Sequence, residues 1–205
     1  MVLVVAEAAP RFRDKRLPSN DVGGKVYVAI QSPGLNPRTA SGEIHPHSRS
    51  MNLGDILSTP QIVPELKATN RWEAIDELIG VLVASGKISP ENSESVTAVV
   101  KKRETSMSTG IGFGIGIPHA STDLITEVVA AFGRSKAGVN FDALDNQPVH
   151  LVTLFLVPQG QFQKHLHTLA GIAKVLRKDE FLKELETAPD GDAMMAIIRK
   201  FSALR

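Results

Sequence analysis

The sequence predicts an α/β fold, a central mixed β-sheet flanked by helices on both faces. Three observations carry this. Val149 to Val157 (Val-His-Leu-Val-Thr-Leu-Phe-Leu-Val) is almost continuously apolar, as in a central strand covered on both sides. Ile75, Leu78, Ile79, Leu82 and Val83 recur at the spacing of one helix face. Strand-like and helix-like stretches then alternate along the chain, the order of a layered α/β domain.

Residues 1–50 stand apart. Pro10, Pro18, Pro33, Pro37 and Pro46, with Gly23, Gly24, Gly34 and Gly42, interrupt any long element. The segment carries seven Lys/Arg against four Asp/Glu, a net of +3, leaving −2 for residues 51–205. It is expected to be a disordered extension, with a short strand at Lys25 to Gln31. His45 and His47 flank a proline in this tail and read as solvated rather than metal-bound. The apolar run Met1–Ala9 precedes its basic residues, the reverse of a secretory signal.

Element by element, Met51-Asn-Leu-Gly-Asp-Ile-Leu opens a new regime, and Ile62-Val-Pro-Glu-Leu predicts a short strand. Asn70 caps a helix with Glu73 at its third position, close to a capping box, and Gly86 stops it. Ser89 caps the next helix, with Pro90 at its first position and Lys101, Lys102 and Arg103 near its end, where cations suit the helix dipole. Val96, Val99 and Val100 form its buried stripe. Val128–Gly133 reads as a strand and Gly138-Val-Asn-Phe-Asp as another short one. His150, near the start of the apolar strand, reads as structural. A helix begins near Gln163 and buries Leu166, Leu169, Ile172, Ala173 and Leu176. Two more run over Asp179–Leu185, with Phe181, Leu182 and Leu185, and over Asp190–Phe201, with Met194 or Met195, Ile197, Ile198 and Phe201.

Bulk properties exclude several functions. The length of 205 residues fits one domain, or one with an extension. A net charge of +1 gives no electrostatic case for nucleic acid or a membrane surface. With zero cysteines there is no disulfide, thiol nucleophile or thiolate metal site. No apolar run reaches the roughly eighteen residues of a membrane span.

The candidate site is Ser108-Thr-Gly-Ile-Gly-Phe-Gly-Ile-Gly-Ile-Pro-His119. Alternating glycines predict extended chain with one bare face, open to close approach by a backbone or an anion. Pro118 ends the strand and delivers His119 at the end of a stiff segment. Neither the dinucleotide fingerprint nor the phosphate loop fits, because residues 115 and 117 are isoleucine and no Gly-Lys-Ser/Thr follows. The pattern suits an imidazole that accepts and hands on a phosphoryl group. It equally suits a Gly-rich strand under a helix, with His119 an ordinary loop histidine.

Thr109-Gly-Ile-Gly112 followed by Gly-Ile-Pro-His resembles the active-site segment of the fructose/mannitol-type (type 2) enzyme IIA domains of the phosphoenolpyruvate-dependent sugar phosphotransferase system, nitrogen-regulatory members included. The resemblance runs from about Met51 to the C-terminus, so residues 51–205 are expected to form the enzyme IIA domain. Gly116 stands where the family has Ala, and Ala120 where Gly is common. The start at Met51 resembles that of the nitrogen-regulatory proteins, so residues 1–50 are expected to be either the disordered extension or sequence upstream of a true initiator at Met51.

The resemblance implies that His119 accepts the phosphoryl group and that Arg103, from the Arg103-Glu104 pair, neutralises it. It implies that His165, in His165-Leu-x-x-Leu, lies beside His119; His167, two residues on, faces elsewhere. Ser108, Thr109 and Gly110 are expected to offer backbone donors to the phosphate, with no cofactor or metal. The implied donor is the histidine carrier protein. The onward partner is an enzyme IIB protein or a regulatory target, in the cytoplasm, without nucleic acid or membrane insertion. Three uses stay open: a regulatory phosphocarrier, a sugar-uptake component, and a binding module that is never phosphorylated.

Overall fold

The computed structural model describes residues 52–203, except for the side chains of Gln163, Lys164, Leu166 and His167. The strand expected at Lys25–Gln31, the His45/His47 pair, the disorder expected over 1–50 and the side chains of Leu166 and His167 lie outside the described residues.

The elements are α1 (Leu53–Ile56), β1 (Ile62–Val63), α2 (Arg71–Ala84), α3 (Ser93–Ser106), β2 (Gly110–Gly112), β3 (Ile115–Gly116), β4 (His119–Thr122), β5 (Val129–Val139), β6 (Val149–Pro158), α4 (Phe162–Leu176), α5 (Asp179–Thr187) and α6 (Gly191–Ala203). Single 3₁₀ turns precede β1 and α3. The sheet order is β1-β5-β6-β3-β2, with β4 also on β6. The β1/β5, β3/β6 and β4/β6 pairs are parallel; β2/β3 and β5/β6 are antiparallel. The sheet is therefore mixed, as the sequence predicts.

Strand β6 is covered on both faces because its residues alternate between two apolar cores. Val152, Leu154 and Leu156 join Ile75, Leu78 and Leu82 of α2 and Val96 and Val100 of α3. Leu151, Phe155 and Val157 join Leu53 of α1, Ile172 and Leu176 of α4, Phe181 and Leu185 of α5, and Met194, Ile198 and Phe201 of α6. Beside this second core, the buried Arg134 donates through Nε to the Pro64 carbonyl at 2.9 Å and through Nη1 to the carbonyls of Leu185 and Ala188. It thus gives a charged donor to carbonyls at the end of α5.

Several local expectations need correction. The Gly-rich stretch is a hairpin, β2 and β3, rather than one strand. Asn70 does cap α2, accepting from the N–H groups of Trp72 and Glu73. Glu73, however, accepts from Thr69 N–H and hydroxyl at 2.8 Å each, one residue short of a capping box. Ser89 heads a 3₁₀ turn, and α3 starts four residues later. The two strands expected between 128 and 142 are one, β5. It absorbs an irregularity between Arg134 and Val139, where Gly138 takes a left-handed φ of 83°.

Thr153 is fully buried in β6 on the face shared by Leu151 and Phe155, and its hydroxyl has no hydrogen-bond partner among the described residues. A buried unpaired hydroxyl is unfavourable, and valine has the same shape and strand preference. Thr153→Val should therefore raise stability by about 1 kcal/mol, read from the urea midpoint. A lower midpoint would show that the hydroxyl has a partner.

Candidate functional site

The site forms where one edge of β6 passes from one short neighbour to another. Strand β3 pairs with Leu151 and Val152, and β4 pairs with residues from Phe155 to Pro158. Ile117 and Pro118 bridge the two. Pro118 has no N–H to give, and its carbonyl accepts from Phe155 N–H at 2.9 Å. Ile117 turns away from β6: its N–H donates to the Thr109 carbonyl at 3.0 Å. Its carbonyl is left for the His119 ring, which meets it through Nδ1 at 2.8 Å. A carbonyl only accepts, so Nδ1 carries the proton and Nε2 keeps its lone pair. His119 is thus the first residue of a strand, not the loop histidine that the spacing also allowed.

Burial holds the His119 pKa below its ordinary value of 6.5. The hydrogen bond to Ile117 pulls the other way, the positive charge of Arg103 lowers the pKa further, and the negative charge of Glu104 raises it. Both residues of the Arg103-Glu104 pair therefore act on this imidazole. Arg103, in the last turn of α3, donates through Nη1 to the Met107 carbonyl at 2.9 Å.

The loop from α3 to β2 is tied down from within. Thr109 gives its N–H to Glu104 at 3.0 and 3.2 Å and its hydroxyl to Glu104 at 2.6 Å. Gly110 N–H donates to Ser108 Oγ at 3.1 Å, and the Ser108 hydroxyl donates to the Phe141 carbonyl at 2.7 Å. Of the backbone donors expected for a phosphate, those of Thr109 and Gly110 are therefore already engaged inside the protein. The close approach allowed by Gly110 is used by Ala143: a β-carbon at 110 would lie 2.8 Å from Ala143 Cα. At the hairpin tip Gly112, Phe113 and Gly114 all have left-handed φ, 84°, 58° and 73°, and Asp145 accepts from Phe113 N–H at 2.8 Å.

Helix α4 reaches the site by a residue that sequence reasoning missed. Phe162, at its first position, stacks on the His119 ring with centroids 5.9 Å apart and planes 18° apart. The single phenylalanine had no motif to mark it. His165 lies three residues on, on the same helix face as Phe162, and is partly buried. No hydrogen bond joins His165 to His119 among the described residues. The structure thus stacks Phe162 on His119, lets the charges of Arg103 and Glu104 act on the ring, and puts His165 one helical turn from Phe162.

The family model of the phosphoenolpyruvate-dependent sugar phosphotransferase system, EIIA 2, matches residues 55–201. This chain belongs to that family. It is 39% identical over 150 residues to a nitrogen regulatory protein of Klebsiella oxytoca, covering 73% of this chain and 91% of that one. It is 35% identical over 150 residues to a fructose-specific EIIABC component of Bacillus subtilis, of which the match spans 23%. The fold is similar to the crystal structure of the nitrogen regulatory protein IIA-Ntr from Neisseria meningitidis. That match has a TM-score of 0.64 and 28% identity, and covers 71% of this chain and 97% of that one.

Within this EIIA domain, the glycine at 116 has a local reason. A β-carbon there would stand 3.3 Å from the Phe141 ring and from Val149 Cγ1, tighter than ordinary contact. Ala120 is buried in the core beneath α2 and α3. Among the described residues no helix is long and apolar enough to cross a membrane.

The depressed His119 pKa has a testable sign. The neutral ring's contribution to stability is complete above the unfolded value and is lost as pH falls through the lower folded one. NMR titration of His119 should therefore give a midpoint below 6.5, and Phe162→Ala should raise it by exposing a ring face. A wild-type midpoint at or above that value contradicts the account.

Proposed function

We propose that this chain is a histidine phosphocarrier, taking a phosphoryl group on His119 Nε2 from the histidine carrier protein. The observation that carries this reading is the Nδ1 contact with Ile117. It leaves Nε2 as the nucleophile on a ring whose burial keeps it neutral at neutral pH. In the transfer, the P–N bond of the donor phosphohistidine breaks as the Nε2–P bond forms, and the donor imidazole leaves with the bonding pair. The proton stays on Nδ1, hydrogen-bonded to the Ile117 carbonyl, throughout, so His119 need not exchange a proton to react. Arg103 supplies positive charge for the phosphoryl oxygens, and His165, one turn beyond Phe162, is the proposed second contact.

The phosphorylated domain then serves as a signal of the nitrogen-regulatory kind, working in the cytoplasm. The 39% identity to a protein of that name, with 91% of its length covered, favours this use. The similarity to an EIIABC component favours a second one, passage to a fructose/mannitol-type enzyme IIB. The presence of Arg103, His119 and His165 speaks against a binding module that is never phosphorylated.

The test is labelling by phosphoenolpyruvate, enzyme I and histidine carrier protein, with the modified residue read by mass spectrometry under alkaline conditions. His119 should carry one phosphate, and His119→Ala should carry none while remaining folded. Full labelling of that variant would refute the assignment. Arg103→Lys keeps the charge but loses the forked donor geometry, and should slow transfer about tenfold, or about 1.4 kcal/mol. An unchanged rate would remove Arg103 from the reaction. Adding a IIB protein separates the two uses: onward transfer means uptake, and retention means signalling.

A further inference from the structure

Glu104 is a carboxylate inside the protein, at 1% exposure. A charge is rarely kept there unless strongly hydrogen-bonded. All three of its described hydrogen bonds fall on one residue, to Thr109 N–H at 3.0 and 3.2 Å and from the Thr109 hydroxyl at 2.6 Å. A carboxylate accepts two such donors at once, because both its oxygens only accept. Thr109 is also the residue whose carbonyl takes the Ile117 N–H at 3.0 Å. Ile117 in turn presents its carbonyl to His119 Nδ1 at 2.8 Å.

We propose that Glu104 is a positioning residue: by fixing Thr109 it fixes the Ile117 carbonyl, and so sets which nitrogen of His119 carries the proton. Each link of the path Glu104–Thr109–Ile117–His119 enters a residue by one peptide group and leaves by the other. Each therefore crosses a Cα. What passes along it is geometry, not polarisation through one conjugated amide. The neighbours of Ile117 are held by β6, at Gly116 and at the Pro118 carbonyl, but Ile117 itself is held by Thr109. Residue 117 is thus the point of the bridge that Glu104 controls. The proposal rests on the His119 reading only for its effect on transfer; the tautomer is a property of the unphosphorylated protein.

Two substitutions separate position from charge. Glu104→Gln keeps the side-chain length and one oxygen for the Thr109 N–H, but removes the charge. Glu104→Asp keeps the charge but draws the carboxylate back by one methylene. Long-range proton–nitrogen correlation on ¹⁵N-labelled protein, at a pH above the His119 midpoint, reads the tautomer directly. Wild type and Glu104→Gln should show Nδ1–H. Glu104→Asp should show a growing Nε2–H population and phosphoryl acceptance slowed at least about tenfold, since small misplacements of a reacting group are costly. A Glu104→Asp protein with the wild-type tautomer overturns the proposal, as does a Glu104→Gln protein shifted as far as Glu104→Asp. A merely packing role would lower stability in either variant without moving the tautomer. Failure of wild-type protein to accept phosphate would instead overturn the reading of His119 and leave the tautomer result standing.

Discussion

The hydrogen bond between His119 Nδ1 and the Ile117 carbonyl depends on the alternation of the chain along β6. Strands β3 and β4 pair with β6 in one continuous register, Ile115 with Leu151 and His119 with Phe155. The carbonyls of Gly114, Pro118 and Thr122 face β6 and accept from Leu151, Phe155 and Gln159, so residue 117 turns its own peptide groups to the other side. There its N–H is taken by Thr109, whose own N–H goes to Glu104, and the Ile117 carbonyl is left for the imidazole. The imidazole is thereby mounted on a strand whose partner is buried on both faces. The rigidity of the site comes from the centre of the fold.

Both cores contribute to that mounting in different ways. The core under α2 and α3 fixes the end of α3, and with it the Arg103-Glu104 pair. Two adjacent residues of opposite charge then serve one imidazole. Arg103 is the residue proposed to meet the phosphoryl charge, and Glu104 is buried against Thr109 of the loop. Their effects on the His119 pKa oppose each other, so burial decides its direction. The other core carries α4, whose first residue, Phe162, covers the imidazole. Around this centre the large apolar side chains of Met107, Phe113 and Leu144 are left 67%, 64% and 76% exposed. Phe113 is covered on one side by the Arg177 guanidinium, 4.3 Å from its ring centre.

Periodicity made the layers legible. The apolar run of β6 and the helical spacing of α2, α3, α5 and α6 all appear in the structure. Boundaries failed where backbone chemistry competes locally. Gly138 let one long strand look like two, and alternating glycines concealed a turn at Gly112–Gly114 whose signal is left-handed backbone rather than hydrophobicity. The site was partly legible: Pro118-His119 and Arg103-Glu104 stand out as residue types. Their partners do not. Phe162 has no motif to mark it, and the Ile117 carbonyl is a backbone group that no side-chain pattern marks. Likewise, nothing in Ser108-Thr109-Gly110 announces that the Thr109 donors are taken by Glu104 and the Gly110 N–H by Ser108. That depends on how the α3–β2 loop closes against the segment around Phe141 and Ala143.

The central claim is that the fold leaves Nε2 of His119 as the acceptor. The most direct measurement is heteronuclear NMR of the ¹⁵N-labelled, phosphorylated protein, identifying the ring nitrogen bonded to phosphorus. The account predicts phosphorus on Nε2, with the Nδ1 proton still present and protected from exchange by the Ile117 carbonyl. Phosphorus on Nδ1 would require that hydrogen bond to be broken first, and would contradict the account.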